Sequence, residues 1–232
     1  MKALFIVDPQ IDFCPGGALA VPEGDAIFNY INTLTAYPLK IVSKDMHPKN
    51  HKSFASNNPG KRAFMDVIQL NGEEVRLWPD HCVVGTPGAE IHPALTLKPD
   101  YTVHKGMGTH FNNYSPFFNN SQSPEKQGEI LDAAGQPVDS SSLLDFLTGS
   151  FDDELVDTID VVGLATDYCV KAFVLDALKY DFRVRLLVPG CRGVNVNPTD
   201  VANAIEEMRK AGAEIVDLEV KNTPADGDGI TP

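Results

Sequence analysis

A doubly wound α/β sheet, mostly parallel and with helices on both faces, is the three-layer fold this sequence predicts. Three observations point there. Short runs rich in β-branched residues recur along the chain, they are apolar throughout rather than alternating, and helix-compatible stretches separate them. Unbroken apolar runs mean burial on both faces, and strands that alternate with helices pair in parallel.

The elements follow in order. ALFIV at residues 3–7 reads as the first strand, 25–37 as a helix and KIVS at 40–43 as the second strand. YTVH at 101–104 is the third strand, with a helix at 142–147 behind it. IDVVGL at 159–164 leads into a helix at 167–180, VRLLV at 184–188 into a helix at 198–211, and EIV at 214–216 closes the series. The last helix has Asn197 and Pro198 at its start and Gly212 after its end, residue types that open and stop helices. Two stretches break the rhythm, at about 45–99 and 106–141. Both are rich in Gly, Pro, Asn and Ser, and connections that long in a compact domain are usually functional or disordered; here they read as active-site loops. Residues 224–232 read as a frayed tail. With no internal repeat and no shift in composition, 1–232 reads as one domain.

Thirty-two acidic side chains against nineteen basic ones give a net charge of −13. So acidic a surface repels phosphate backbones and anionic headgroups, which argues against nucleic acid and membranes as partners. A small molecule remains, with a homo-oligomer left open. The four cysteines, Cys14, Cys82, Cys169 and Cys191, form no CxxC pair, which removes zinc knuckles and dithiol redox motifs and fits free thiols in a reducing compartment. The apolar run before Asp8 is too short for a signal peptide or a membrane span, so the expected location is cytoplasmic.

Open α/β sheets bind ligands beyond the carboxyl ends of their strands. Asp8 follows the first strand, Asp45 the second and Lys105 the third, while Cys169 lies just past the fourth. Each alone has a plain structural reading as a turn cap, a surface charge or a small core residue; together on one rim they form a reactive set. GLATDYCV runs off a strand into a helix whose first turn holds the Cys169 thiol, where backbone N–H groups and a nearby lysine favour a thiolate. The N–H groups of residues 165–169 also suit an oxyanion. No histidine lies in this segment, so an aspartate with a lysine beside it is the available proton acceptor. Cys14, Cys82 and Cys191 read as core or loop residues.

KDMHPKNH places Asp45, His47 and His51 after a strand, and His81 follows in LWPDHCVVGTPGAEIH. One carboxylate with two or three imidazoles is a ligand set for zinc, iron or manganese. Asp45 and His47, two residues apart on extended chain, point the same way, whereas His51 reads as structural or as a support for the ligands. His92, His104 and His110 have no implicating spacing. Phe13, Trp78 and Tyr114 supply walls for a pocket.

IVDPQIDFCPGGALAV, SKDMHPKNHKSF, LWPDHCVVGTPGAEIH, VHKG and GLATDYCV, in this order from residue 1 to about 190, resemble the nicotinamidase/pyrazinamidase family of isochorismatase-like cysteine hydrolases. The resemblance implies a catalytic triad of Asp8, Lys105 and Cys169, and an oxyanion hole from the N–H groups of Ala165 and Cys169 with a cis peptide before Thr166. It further implies one divalent metal, zinc foremost, on Asp45, His47 and His81, and ring packing by Phe13, Leu19, Trp78 and Tyr114. The implied reaction is hydrolysis of nicotinamide to nicotinate and ammonia through a cysteine thioester, in NAD salvage, with pyrazinamide also accepted. Ile11 departs from the family, which usually has Asn there. Three alternatives stand beside this reading. An isochorismatase-type vinyl-ether hydrolase needs no cysteine at 169. A ureido or carbamoyl amidase keeps the triad without the metal set, and a non-catalytic binder has no reason to keep Asp8, Lys105 and Cys169 together.

Overall fold

The computed structural model describes residues 1–70, 72–110, 114–117, 129–140, 142–149 and 154–217. Strand β1 (Lys2–Val7) is followed by helix α1 (Ile27–Ile31) and β2 (Leu39–Asp45), then by β3 (Val67–Leu70), β4 (Glu73–Arg76), β5 (Tyr101–Lys105) and β6 (Ile130–Asp132). Helix α2 (Leu143–Thr148), β7 (Thr158–Leu164), α3 (Lys171–Lys179), β8 (Arg183–Arg192), α4 (Asp200–Ala211) and β9 (Glu214–Val216) come after. Seven strands form one sheet in the order β6-β5-β2-β1-β7-β8-β9, parallel throughout except between β5 and β6.

The apolar runs do what their lack of alternation requires. In β1, Ala3, Phe5 and Val7 face one core with Phe173 and Val174 of α3 and Leu147 of α2. Leu4 and Ile6 face a second core, on the other side of the sheet, with Ile27, Phe28 and Ile31 of α1. Alternate residues of a strand point to opposite faces, so a run apolar at every position needs two cores. β2 and β5 lie on one side of β1 while β7 and β8 lie on the other. A doubly wound sheet opens a ligand crevice beyond its strand ends at such a reversal.

Several elements differ from the sequence reading. The helix expected over 25–37 contracts to a 3₁₀ turn at Gly24–Ala26 and α1 at Ile27–Ile31. Asn32 ends it: its side-chain amide donates to Ala94 O while its Oδ1 accepts from the N–H groups of Thr96 and Leu97, tying the chain to the 94–97 loop. The 45–99 stretch contains the β3–β4 hairpin, and part of 106–141 is the short edge strand β6. The helix expected from 167 begins as a π turn at Thr166–Val170 before α3. β8 continues four residues beyond Val188 to Arg192, with a register shift against β7 between Val161 and Gly163. The expected frayed tail lies outside the described residues. Among the described residues no helix is long and apolar enough to cross a membrane.

Candidate active site

Sheet register assembles the reactive side chains. Asp45 and Lys105 are direct partners at the ends of β2 and β5, Asp8 follows the neighbouring β1, and Cys169 sits in the turn after β7. The Lys105 ammonium, 2% exposed, is 2.9 Å from Asp8 Oδ2, 3.1 Å from Asp45 Oδ1 and 3.4 Å from Cys169 Sγ. The Ser43 hydroxyl donates to Asp8 Oδ1 at 2.6 Å and accepts from the Asp8 N–H at 3.1 Å. Asp8 has φ 44°, a left-handed conformation uncommon for a residue with a side chain and typical of strained functional positions.

Charge and burial set the protonation states. Burial pushes the Asp8 carboxyl above its ordinary 3.8; Lys105 works against that and Asp45 adds to it. Lys105 is opposed by burial, but the carboxylates of Asp45 and Asp8 outweigh it and keep the ammonium charged. The sequence reading expects a depressed Cys169 thiol, and here the structure corrects it. Burial raises the thiol well above its ordinary value; Lys105 pulls it down as expected, while Asp8 and Asp45 add to the rise. The resting group is therefore a thiol, and forming the thiolate requires a base.

Beside this triad lies a second cluster. The Nδ1–H groups of His47 and His81 donate to backbone carbonyls, of Gly106 at 2.8 Å and of Pro79 at 2.8 Å. A carbonyl can only accept, so the neutral rings carry their proton on Nδ1 and leave a lone pair on Nε2. Both Nε2 atoms face Asp45 Oδ2, at 3.0 and 3.8 Å, and three ligand atoms from these residues lie within 4.8 Å of one another. Converging lone pairs and a carboxylate fit a divalent cation. Burial and the neighbouring His47 take His81 down to about 4, which keeps its ring neutral at ordinary pH. Burial alone would raise Asp45, but His47 in its protonated form and Lys105 outweigh it and hold the carboxyl below its usual range. Gly106 leaves the room: at φ 70°, an added Cβ would lie 2.4 Å from Asp45 Oδ1 and 2.7 Å from His47 Cε1. His51 packs beside His47 with ring centroids 4.3 Å apart, but its Nδ1 turns onto Ser53 Oγ at 2.7 Å, outside the ligand cluster.

Cys169 and the Asp45, His47 and His81 cluster open on one cavity, whose walls include Phe13, Leu19, Trp78, Tyr114 and Ala165. Of the residues singled out from the sequence, Cys169, Asp45, His47, His81, Phe13, Leu19, Trp78, Tyr114 and Ala165 line this space, while Asp8 and Lys105 lie behind Cys169 and Asp45, joined to them through the Lys105 ammonium. Trp78 Nε1 donates to the Tyr114 hydroxyl at 3.2 Å. The cis peptide lies between Leu164 and Ala165, one residue earlier than expected. Sequence reasoning missed Tyr168 and Val194, which also line the cavity, and Gln10. Tyr168 adjoins Cys169 and Val194 follows a rim-ending strand, so chain position alone signals both. The Gln10 side chain brackets the Asp45 backbone, donating to its carbonyl and accepting from its N–H, both at 2.7 Å. Cys14, Cys82 and Cys191 are free and buried, as expected. Ile11 engages through its backbone, donating to Glu90 O at 3.0 Å.

Residues 141–220 match the family model of the isochorismatase domain. The chain is 43% identical to the nicotinamidase of Escherichia coli over 223 residues, 94% of this chain and 95% of the relative. A nicotinamidase/pyrazinamidase structure from Acinetobacter baumanii superposes with TM-score 0.76 at 34% identity, covering 93% of this chain and 95% of the other. The Pyrococcus horikoshii pyrazinamidase, solved in complex with zinc, gives TM-score 0.65 at 32% identity over 94% of this chain and 99% of the other.

Proposed function

This chain belongs to the nicotinamidase family of isochorismatase-like hydrolases, and from that premise we propose that it hydrolyses nicotinamide to nicotinate and ammonia by acyl transfer through Cys169. One observation carries the reading: the Lys105 ammonium touches both the Asp8 carboxylate and the Cys169 sulfur, beside an aromatic-walled cavity that also reaches Asp45, His47 and His81.

Asp8 takes the thiol proton, for which its raised pKa suits it, while Lys105 stabilises the charge on sulfur. The thiolate attacks the amide carbonyl, and backbone N–H groups of Ala165 and Cys169 hold the oxyanion. Asp8 returns the proton to the departing ammonia, leaving a thioester. Asp8 then accepts a proton from water, whose oxygen displaces sulfur to give nicotinate, and the thiol regains its proton. Phe13, Leu19, Trp78 and Tyr114 pack the pyridine ring. Asp45, His47 and His81 hold one divalent ion, which we assign as zinc; when bound it supplies a Lewis-acid contact for the ring nitrogen that orients the carboxamide. Pyrazinamide, which keeps a ring nitrogen and the carboxamide, fits the same cavity.

Ammonia release from nicotinamide, measured with and without a chelator, tests the reading. Release that requires Cys169 and falls on chelation supports it, and a protein that releases none overturns it.

A further inference from the structure

The turn carrying the nucleophile is tied to the loop after β8 by a buried carboxylate that the reaction itself does not use. Asp167, 6% exposed, accepts the Val194 N–H on Oδ1 at 2.9 Å and the Asn195 N–H on Oδ2 at 2.8 Å. Between that loop and the carboxylate there is no spare room, since a Cβ on Gly193 would lie 2.9 Å from Asp167 Oδ1 and 2.1 Å from the Val201 side chain. Asn195 sits at φ 50°, and its side-chain oxygen accepts the Val201 N–H of α4 at 3.0 Å. The loop is thus held at Val194 and Asn195, on one side by Asp167 and on the other by α4, and Val194 forms part of the cavity wall.

We propose that Asp167 is a positioning residue for substrate fit: it fixes Val194 as a wall against the aromatic ring, two residues from the nucleophile in sequence. Both carboxylate oxygens are needed. Asparagine can accept one of the two N–H bonds, but its amide nitrogen would then present donors to the other N–H. The wall loosens while Asp8, Lys105 and Cys169 stay in place. The substrate part of this proposal rests on the nicotinamide reading above.

The test combines kinetics with amide hydrogen exchange on the full chain. Asp167→Asn is expected to raise KM for nicotinamide on the order of tenfold while kcat moves far less, since loss of ring fit weakens binding before chemistry. Val194→Ala should give the same split, and the double variant should be no worse than the worse single one, because both remove the same wall. Exchange at Val194 and Asn195 should quicken in Asp167→Asn without substrate present. Asn195→Gly keeps the left-handed backbone accessible while releasing the α4 tie; it should reproduce the KM effect even if Asp167→Asn fails to fold. Additive KM effects, unchanged exchange, or a fall in kcat with slowed alkylation of Cys169 would each overturn the proposal. Wild-type protein that releases no ammonia from nicotinamide overturns the functional reading and the substrate part with it, whereas active wild type with an unmoved KM in the variants overturns the positioning role alone.

Discussion

Lys105 carries more of the site's electrostatics than any neighbour, because one buried ammonium serves two carboxylates and a thiol at 2.9, 3.1 and 3.4 Å. Its positive charge favours the thiolate, so Lys105→Ala should move the alkylation profile of Cys169 to higher pH. An unmoved profile would remove Lys105 from the triad. Asp8 has the opposite charge logic. Its carboxyl is raised, so activity should fail as pH drops through a value above 3.8, and Asp8→Asn should lose about 10²–10⁴-fold in kcat at every pH. Cys169→Ala removes the proposed nucleophile and should cost on the order of 10⁴-fold or more with the fold intact. Cys169→Ser should be nearly as inactive, since a hydroxyl in a site that already resists ionising a thiol has no histidine to assist it. Residual turnover near wild type in either variant, read as ammonia release, would exclude the covalent route.

The triad is held by elements that meet in the core. Phe5 of β1 stacks on Phe173 of α3 with ring centroids 4.0 Å apart, joining the strand before Asp8 to the helix after Cys169. Phe173→Ala should lower stability by about 3–5 kcal/mol, read from the denaturant midpoint, because the ring is fully buried. Gly106→Ala tests a different element, the end of β5. Its Cβ would enter the space between Asp45 and His47 at φ 70°, so metal content should fall while the far-ultraviolet signature of the sheet persists. Full metal occupancy in that variant would show that the cluster is not the metal site. How legible an element was depended on how much apolar surface it buries. β1 is apolar at every position after Lys2, and β7 is buried along its whole length around Ile159, Val161, Val162 and Leu164, so both stand out in the sequence, and the chemistry-bearing residues stand out with them because they follow such strands. No residue of VIQL is fully buried, so the hairpin was hidden although Asn71-Gly72 between the two strands is a strong two-residue turn signal. Asn32 could not be read as a helix stop, since its partners lie more than 60 residues away in the chain. The raised thiol was equally hidden, because desolvation depends on what packs around Cys169 from distant segments.

At the scale of the whole molecule, strand order brings two chemistries to one crevice and makes Asp45 common to both. One of its oxygens faces Lys105 and the other faces His47 and His81. Binding a cation there and activating the thiol are therefore neighbouring but separable tasks, and the comparison of nicotinamide with benzamide separates them. Benzamide has the same carboxamide and ring size but no ring nitrogen, so if the metal's contact is orienting, the intact protein should process nicotinamide at least about tenfold better, the equivalent of ~1.4 kcal/mol. Removing the metal, or replacing His47 or His81 with alanine, should erase that preference. Cys169 should remain open to a small alkylating agent in the stripped protein, though more slowly at a fixed pH: the Asp45 charge, no longer offset by the cation, raises the thiol further. Slower alkylation that still runs to completion, together with a lost nicotinamide preference, is the expected pair of results. Benzamide turnover equal to that of nicotinamide in the metal-loaded protein, or a thiol that stops reacting altogether once the metal is gone, would make the ion structural or directly catalytic instead of orienting.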